Sequence, residues 1–421
     1  MKLLIIFAVF GCAAAQVGVY RQPLIRVESR KEKMIKAGTW DDYYKDKQLL
    51  EASMDTGFYN MQDFDEVGYV ARLSIGIPGQ SFKFHYVFST IGSWVTGISC
   101  GIDPNPTPHC ASFCFNPNAT SSFCDPNCTP GNGTTFAPET INQACNQKSK
   151  YDSTKSSTNY QPEKPSNYYA DYEFGYVTAT SAGEDIVILD ASDTVPSNLT
   201  VTKSPIGQAN ELSPVFVDTP FDGILQLDSF LQDAREIKKI FTVYLQEDDT
   251  KYDVSGGYIT FGGNDEEHCS SEIEYQSDMS EYRFLIHNIS FNQPENSDQN
   301  TGVDYQVEVD MARASLVGPH EIIESLKEAV NANKDGKIDC DAEIKDLSIQ
   351  VSIENDSKIL TIPGKHLKIR NPNGSCSIAL ESMPRNSTPD LKWIFGTPWF
   401  KSYCNIFSYD KRNIGFAKII V

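Results

Sequence analysis

Residues 69–88 hold the pattern that most restricts this chain. Tyr69-Val70-Ala71-Arg72-Leu73-Ser74-Ile75-Gly76 and Phe82-Lys83-Phe84-His85-Tyr86-Val87-Phe88 flank the turn residues Ile77-Pro78-Gly79-Gln80. Alternation with a period of two, bounded by glycine and proline, predicts an antiparallel hairpin with one face turned to a core. A second apolar run, Tyr305, Val307 and Val309, delivers Asp310 into a turn, and Gly318-Pro319 then punctuates the way into a helix-like segment from His320 to Val330. The expectation is an all-β chain with minor helices.

At 421 residues and 40% hydrophobic content the chain exceeds one compact domain and can fill real cores, so two lobes plus a leader fit best. Residues 1–15 carry Lys2, an apolar run from Leu3 to Phe10 and Ala13-Ala14-Ala15, the layout of a cleaved secretory signal. That run is too short to span a bilayer and no other stretch comes near. Removing the leader takes Cys12 and leaves ten of the 11 cysteines, an even number that suits five disulfides in an oxidising compartment. Eight sequons begin at Asn118, Asn127, Asn132, Asn198, Asn288, Asn355, Asn373 and Asn386, as on a glycosylated secreted surface. The expected location is extracellular or lumenal, lysosomal included. Lys+Arg 36 against Asp+Glu 56 gives a net charge of −20, which excludes the basic footprint of a nucleic-acid binder.

Residues 16–60 are basic early and helix-prone, with Arg21, Arg26, Arg30, Lys31, Lys33 and Lys36 leading to Gly38 and the cluster Trp40, Tyr43, Tyr44. They read either as a flexible amphipathic arm or as a propeptide. Cys100, Cys110, Cys114, Cys124, Cys128 and Cys145 lie amid Pro, Asn, Gly and Ser, a disulfide-stapled excursion without a core of its own. With an even cysteine count and no suitably spaced histidines beyond His109, these read as disulfides and not as zinc ligands. Asn331 to Gly336 imitates the opening of an EF-hand loop, but Ala342 stands where a bidentate glutamate would be needed. No metal and no cofactor is expected.

The motifs together resemble the pepsin family of aspartic peptidases. Phe221-Asp222-Gly223-Ile224-Leu225-Gln226-Leu227, Ile206-Gly207-Gln208-Ala209, Gly256-Gly257-Tyr258-Ile259-Thr260-Phe261-Gly262-Gly263 and Trp393-Ile394-Phe395-Gly396-Thr397 are similar to that family's framework segments. Residues 23–38 resemble its prosegment, whose positive charge neutralises an acidic cleft. The resemblance implies a bilobal pepsin-like fold with a signal peptide over 1–15, a propeptide-like segment over 16–60, an N-terminal lobe over 61–235 carrying the insertion 100–145, and a C-terminal lobe over 236–421. It further implies disulfides from Cys340 to Cys376 and from Cys269 to Cys404, leaving the insertion's six cysteines to pair among themselves with connectivity open. The flap that closes over substrate should lie in Tyr172 to Gly183, with Phe174 in the tyrosine's register and Tyr172 and Tyr176 as stand-ins.

The catalytic loops depart from the family. An alignment about two residues short places Ser89 where the first aspartate belongs, and no Asp or Glu occurs between Glu66 and Asp103. Asp310 is retained, but Met311 and Ala312 replace Thr and Gly, and Gln226 replaces a glycine at a close backbone approach. Aspartic peptidases need two carboxylates sharing one proton, so that one activates water while the other protonates the carbonyl oxygen. A hydroxyl cannot take that acidic role. Ser89 in a nucleophilic triad finds no support, because none of the histidines lies in a recognisable pattern. The expectation is a secreted, monomeric, non-catalytic homologue that binds a peptide, protein or glycan in its cleft or at its insertion. The competing reading is an acid endopeptidase with a rearranged site.

Overall fold

The protein is described from a computed structural model, covering residues 18–53, 63–88, 92–102, 112–120, 122–124, 143–161, 163, 167–172, 175–189, 199–247, 250–277, 283–291, 304–353, 356–383 and 392–421. Ser89, Phe174, Cys110, Cys128, Asn127, Asn132, Asn198, Asn355, Asn386 and the expected leader lie outside these residues.

The hairpin forms as its pattern requires: Tyr69–Ile75 pairs antiparallel with Gln80–Val87, and Leu73 and Ile75 point into the core while Arg72 points out. Gly76 turns the chain at φ +80°, and a Cβ there would sit 2.4 Å from Ser156 Oγ, so only glycine fits. Thirteen described strands join one sheet, which starts at Cys269–Ser277, passes through the C-terminal strands Asn413–Ile419 and Tyr403–Ser408, and continues into the first half. Tyr20–Arg26 lies between Val254–Phe261 and Tyr69–Ile75, so the N-terminal segment stitches the two halves together. A separate sheet of seven strands carries Tyr305–Val309 and Lys392–Phe395. The result is a mostly-β, bilobal arrangement.

The basic N-terminal segment is ordered into structure of its own. Ser29 and Glu32 form a capping box at the start of the helix Arg30–Ala37, and Gly38 ends it at φ 72°, where a left-handed residue is needed. A second helix, Trp40–Ser53, follows. Both helices pack on a cluster that includes Phe64, Trp94, Tyr172, Phe216 and Phe221. The insertion shares this cluster: Phe123 is fully buried with its ring 5.1 Å from Tyr43. The excursion therefore clamps the second N-terminal helix instead of standing apart. Cys100–Cys145 and Cys114–Cys124 staple it, and Cys269–Cys404 and Cys340–Cys376 close the second half.

Candidate functional site

Strand pairing fixes which residues of the two halves correspond. In the first half Gln80–Val87 runs parallel to Gly223–Gln226 with Tyr86 opposite Leu225, and Trp94 then returns antiparallel opposite Ile224. In the second half Tyr305–Val309 runs parallel to Lys392–Phe395 with Val309 opposite Phe395, and Val317 returns opposite Ile394. Short helices begin directly after Gln226 and Gly396, at Leu227–Asp233 and Thr397–Phe400, so these two residues are counterparts. It follows that Tyr86 matches Val309 and Val87 matches Asp310. The spacing from Val87 to Trp94 equals that from Asp310 to Val317, so the two segments align without a gap. The pairings thus bring Val87, two places ahead of Ser89, to the position of Asp310. On either alignment the first half supplies no carboxylate there.

The two loops are supported differently. A Cβ on Gly396 would lie 2.4 Å from the carbonyl oxygens of Arg313 and Ser315, so that loop demands glycine. At the counterpart, the Gln226 side chain is accommodated: its Oε1 accepts from the Gly92 N–H at 3.2 Å and from Ser229 Oγ at 3.1 Å. The Ser93 hydroxyl accepts from the Gln226 N–H at 3.0 Å. The glutamine has become part of the first loop's scaffold.

Asp310 is buried at the end of its strand, its N–H donating to the Phe395 carbonyl at 3.0 Å and its Oδ1 accepting from the Ala312 N–H at 2.8 Å. Burial pushes its carboxyl up to about 6; Arg313 and the Ala312 N–H pull the other way, while Glu308 and Asp63 add to the rise. Arg313 Nε is 3.9 Å from Asp310 Oδ2, and its Nη1 donates to Asp63 Oδ2 at 3.0 Å.

Asp63 belongs to a short acidic segment, Asp63-Phe64-Asp65-Glu66, lodged between the N-terminal helices and the Asp310 loop. Lys47 Nζ donates to Asp63 at 2.6 Å and to Asp65 at 3.2 Å, and the Tyr43 hydroxyl donates to Asp65 at 3.0 Å. Arg30 also pairs with Asp65, and Lys31 with Glu66. Glu66 Oε2 accepts from the Ala314 N–H at 2.8 Å, and Glu381 accepts from Ser315 Oγ at 3.1 Å with Lys31 at 3.5 Å. Burial works to raise Asp63, but Lys47 and Arg313 outweigh it and hold the carboxyl well below the usual range. Burial and Glu381 raise Glu66, whereas Lys31, Arg313 and Lys47 overcome burial and lower Glu381. Four cations thus face five carboxylates, and Asp310 and Glu66 are the two pushed toward the protonated form.

Phe64 fills an aromatic pocket against Tyr172 at 4.8 Å, Phe216 at 5.5 Å, Phe221 at 5.6 Å and His85 at 6.1 Å between ring centroids. Burial pushes His85 down to about 4. Of the candidate flap residues, Tyr172 sits at the tip of the hairpin Asn167–Asp171 and Tyr176–Leu189, and its hydroxyl accepts from Trp94 Nε1 at 2.7 Å. Tyr176 is buried on the same hairpin, its hydroxyl 3.2 Å from Glu211. The acidic segment and its partners escape a sequence reading because each contact joins residues far apart in the chain. The excess of acids after a basic helix was the one available sign.

Fold and site together define a two-lobed β protein whose halves each bring one loop to a shared cleft. The family model described as eukaryotic aspartyl protease matches residues 68–419, and the chain belongs to that family. It is 27% identical to aspartic protease 2 of Necator americanus, over 99% of both chains. It is 22% identical to aspartic protease 10 of Caenorhabditis elegans, over 100% of this chain and 99% of that one. To gastricsin of Callithrix jacchus it is 24% identical over 95% of each. Among the described residues no helix is long and apolar enough to cross a membrane.

Proposed function

We propose that this chain is a secreted, non-catalytic member of the aspartyl protease family whose cleft serves to bind a peptide. The observation that carries this is the unequal pair of loops: Asp310 faces a half that offers Val87, and the cation beside Asp310 is engaged with Asp63. Without a second carboxylate in the counterpart position, there is no split pair to divide the roles of acid and base. The relatives are named proteases, so a peptide is the natural ligand of the inherited cleft. The leader-like residues 1–15, the disulfides and the sequons support secretion; Asn118 and Asn373 are exposed and Asn288 is half-buried. Residues 16–60 remain assigned as a propeptide-like segment, with lobes over 61–235 and 236–421, in a monomer.

One observation favours the endopeptidase reading: Asp63 brings a second carboxylate near Asp310. Arg313 contacts both, however, and Asp63 is held ionised by Lys47, so the two carboxyls do not share a proton. Turnover of a denatured protein substrate from pH 2 to 7 tests the non-catalytic reading. No cleavage sensitive to a statine-type inhibitor is expected, and such cleavage lost in Asp310→Asn would contradict it.

A further inference from the structure

The segment Asp63 to Glu66 lies between the Asp310 loop and the aromatic cluster around Tyr172. Resting on the reading of the cleft as a peptide-binding site, we infer that it recognises a peptide presenting a carboxylate one residue before an aromatic side chain, with Arg313 reading the carboxylate. In the folded chain Asp63 and Phe64 are the internal copy of that ligand. Asp63 meets the Arg313 guanidinium at 3.0 Å while Phe64 enters the pocket of Tyr172, His85, Phe216 and Phe221. Arg313 stands where the resembled family motif carries a small hydroxyl residue, so that motif does not itself supply this cation. Charge-assisted hydrogen bonding supplies selectivity for carboxylate over amide. The aromatic pocket supplies buried area and ring contacts.

The internal copy is tethered to the strand Tyr69–Ile75 by only Asp65, Glu66, Val67 and Gly68, so its effective concentration is at least on the order of millimolar and it excludes competitors. The test therefore uses full-length chains whose copy is disabled. One host carries Asp63→Gly with Phe64→Gly; the other carries Asp63→Asn with Phe64→Ala. Both keep Asp65 and Glu66 on Arg30 and Lys31. The probe is fluorescently labelled N-acetyl-Asp-Phe amide, read by polarisation. Saturable binding is expected in either folded host, at least tenfold weaker for the Asn-Phe and Asp-Ala analogues and after Arg313→Gln, and absent in the unaltered chain. A folded host that binds none of them, or binds Asn-Phe equally, overturns the inference. If neither host folds, Arg313→Gln in the otherwise unaltered chain decides: amide exchange of Asp65, whose N–H donates to Asp63, should accelerate at least tenfold beyond that of the strand Tyr69–Ile75, and exchange that is unchanged or accelerated only equally overturns the inference. Absent binding with absent turnover defeats this inference alone, whereas inhibitor-sensitive turnover defeats the proposed function.

Discussion

Arg313 and Asp63, 250 residues apart in sequence, meet at 3.0 Å in a buried contact that joins the second-half loop to the N-terminal segment. Neither is suited to solitude there. A buried ion pair gains little over an apolar pair, but removing one partner strands the other, which is the costly event.

Arg313→Gln should therefore destabilise the fold by about 2–3 kcal/mol, below the usual loss for a broken buried pair because Lys47 still neutralises Asp63. Urea denaturation at neutral pH measures it. A change within about 0.5 kcal/mol would show that the pair is solvated and structurally idle.

Acid should act in two opposite stages. The folded pKa of Asp310, about 6, lies above the ordinary 3.8, so its contribution is full below the unfolded value and is lost as pH rises through about 6. Glu66, also raised, acts in the same sense. Asp63 and Glu381 are lowered, so what they contribute is present above their unfolded values and is lost as pH falls from there through their lowered folded values. Stability should rise by about 1 kcal/mol from pH 7 to about pH 5, then fall steeply below about pH 4. In Asp310→Asn much of the rise should vanish while the fall remains, as urea midpoints across pH will report.

The two counterpart positions should respond unequally. Gly396→Ala forces a methyl to 2.4 Å from two carbonyl oxygens and should cost about 3 kcal/mol or more. Gln226→Gly removes two side-chain acceptor contacts and adds backbone freedom, about 1–2 kcal/mol. Equal losses in thermal unfolding would show that the halves are packed alike.

Much of this architecture was readable from local pattern. The Tyr69–Ile75 and Gln80–Val87 hairpin, the helix His320–Ala329 after Pro319, and the Cys269–Cys404 and Cys340–Cys376 pairs stand where pattern and resemblance placed them. The strand Tyr20–Arg26 was not legible, because its charged residues hide a pairing supplied by Val254–Phe261 and Tyr69–Ile75. The register of Val87 against Asp310 was hidden for a related reason: the run to Phe88 imitates the family's strand end, and only the partner strand reveals the offset. Sequence also left the direction of Arg313 open, since Asp310 and solvent were the only visible choices and Asp63 was not.

Cys269–Cys404 closes a loop of 135 residues. In the chain-entropy model, replacing both cysteines by serine should cost about 5 kcal/mol, less any relief of strain. Non-reducing peptide mapping should recover this pair, and no bond from Cys269 or Cys404 into residues 100–145.

The absence of a second carboxylate opposite Asp310 is tested most directly by turnover. Purified protein, with and without residues 16–60, is incubated with a denatured protein substrate from pH 2 to 7, in the presence and absence of a statine-type inhibitor. The expectation is no inhibitor-sensitive cleavage at any pH. It extends to Val87→Asp or Ser89→Asp alone, because Met311, Ala312 and Gln226 still shape the loops and catalytic groups need placement within roughly 0.5 Å. Inhibitor-sensitive cleavage by the unaltered chain that disappears in Asp310→Asn would contradict it.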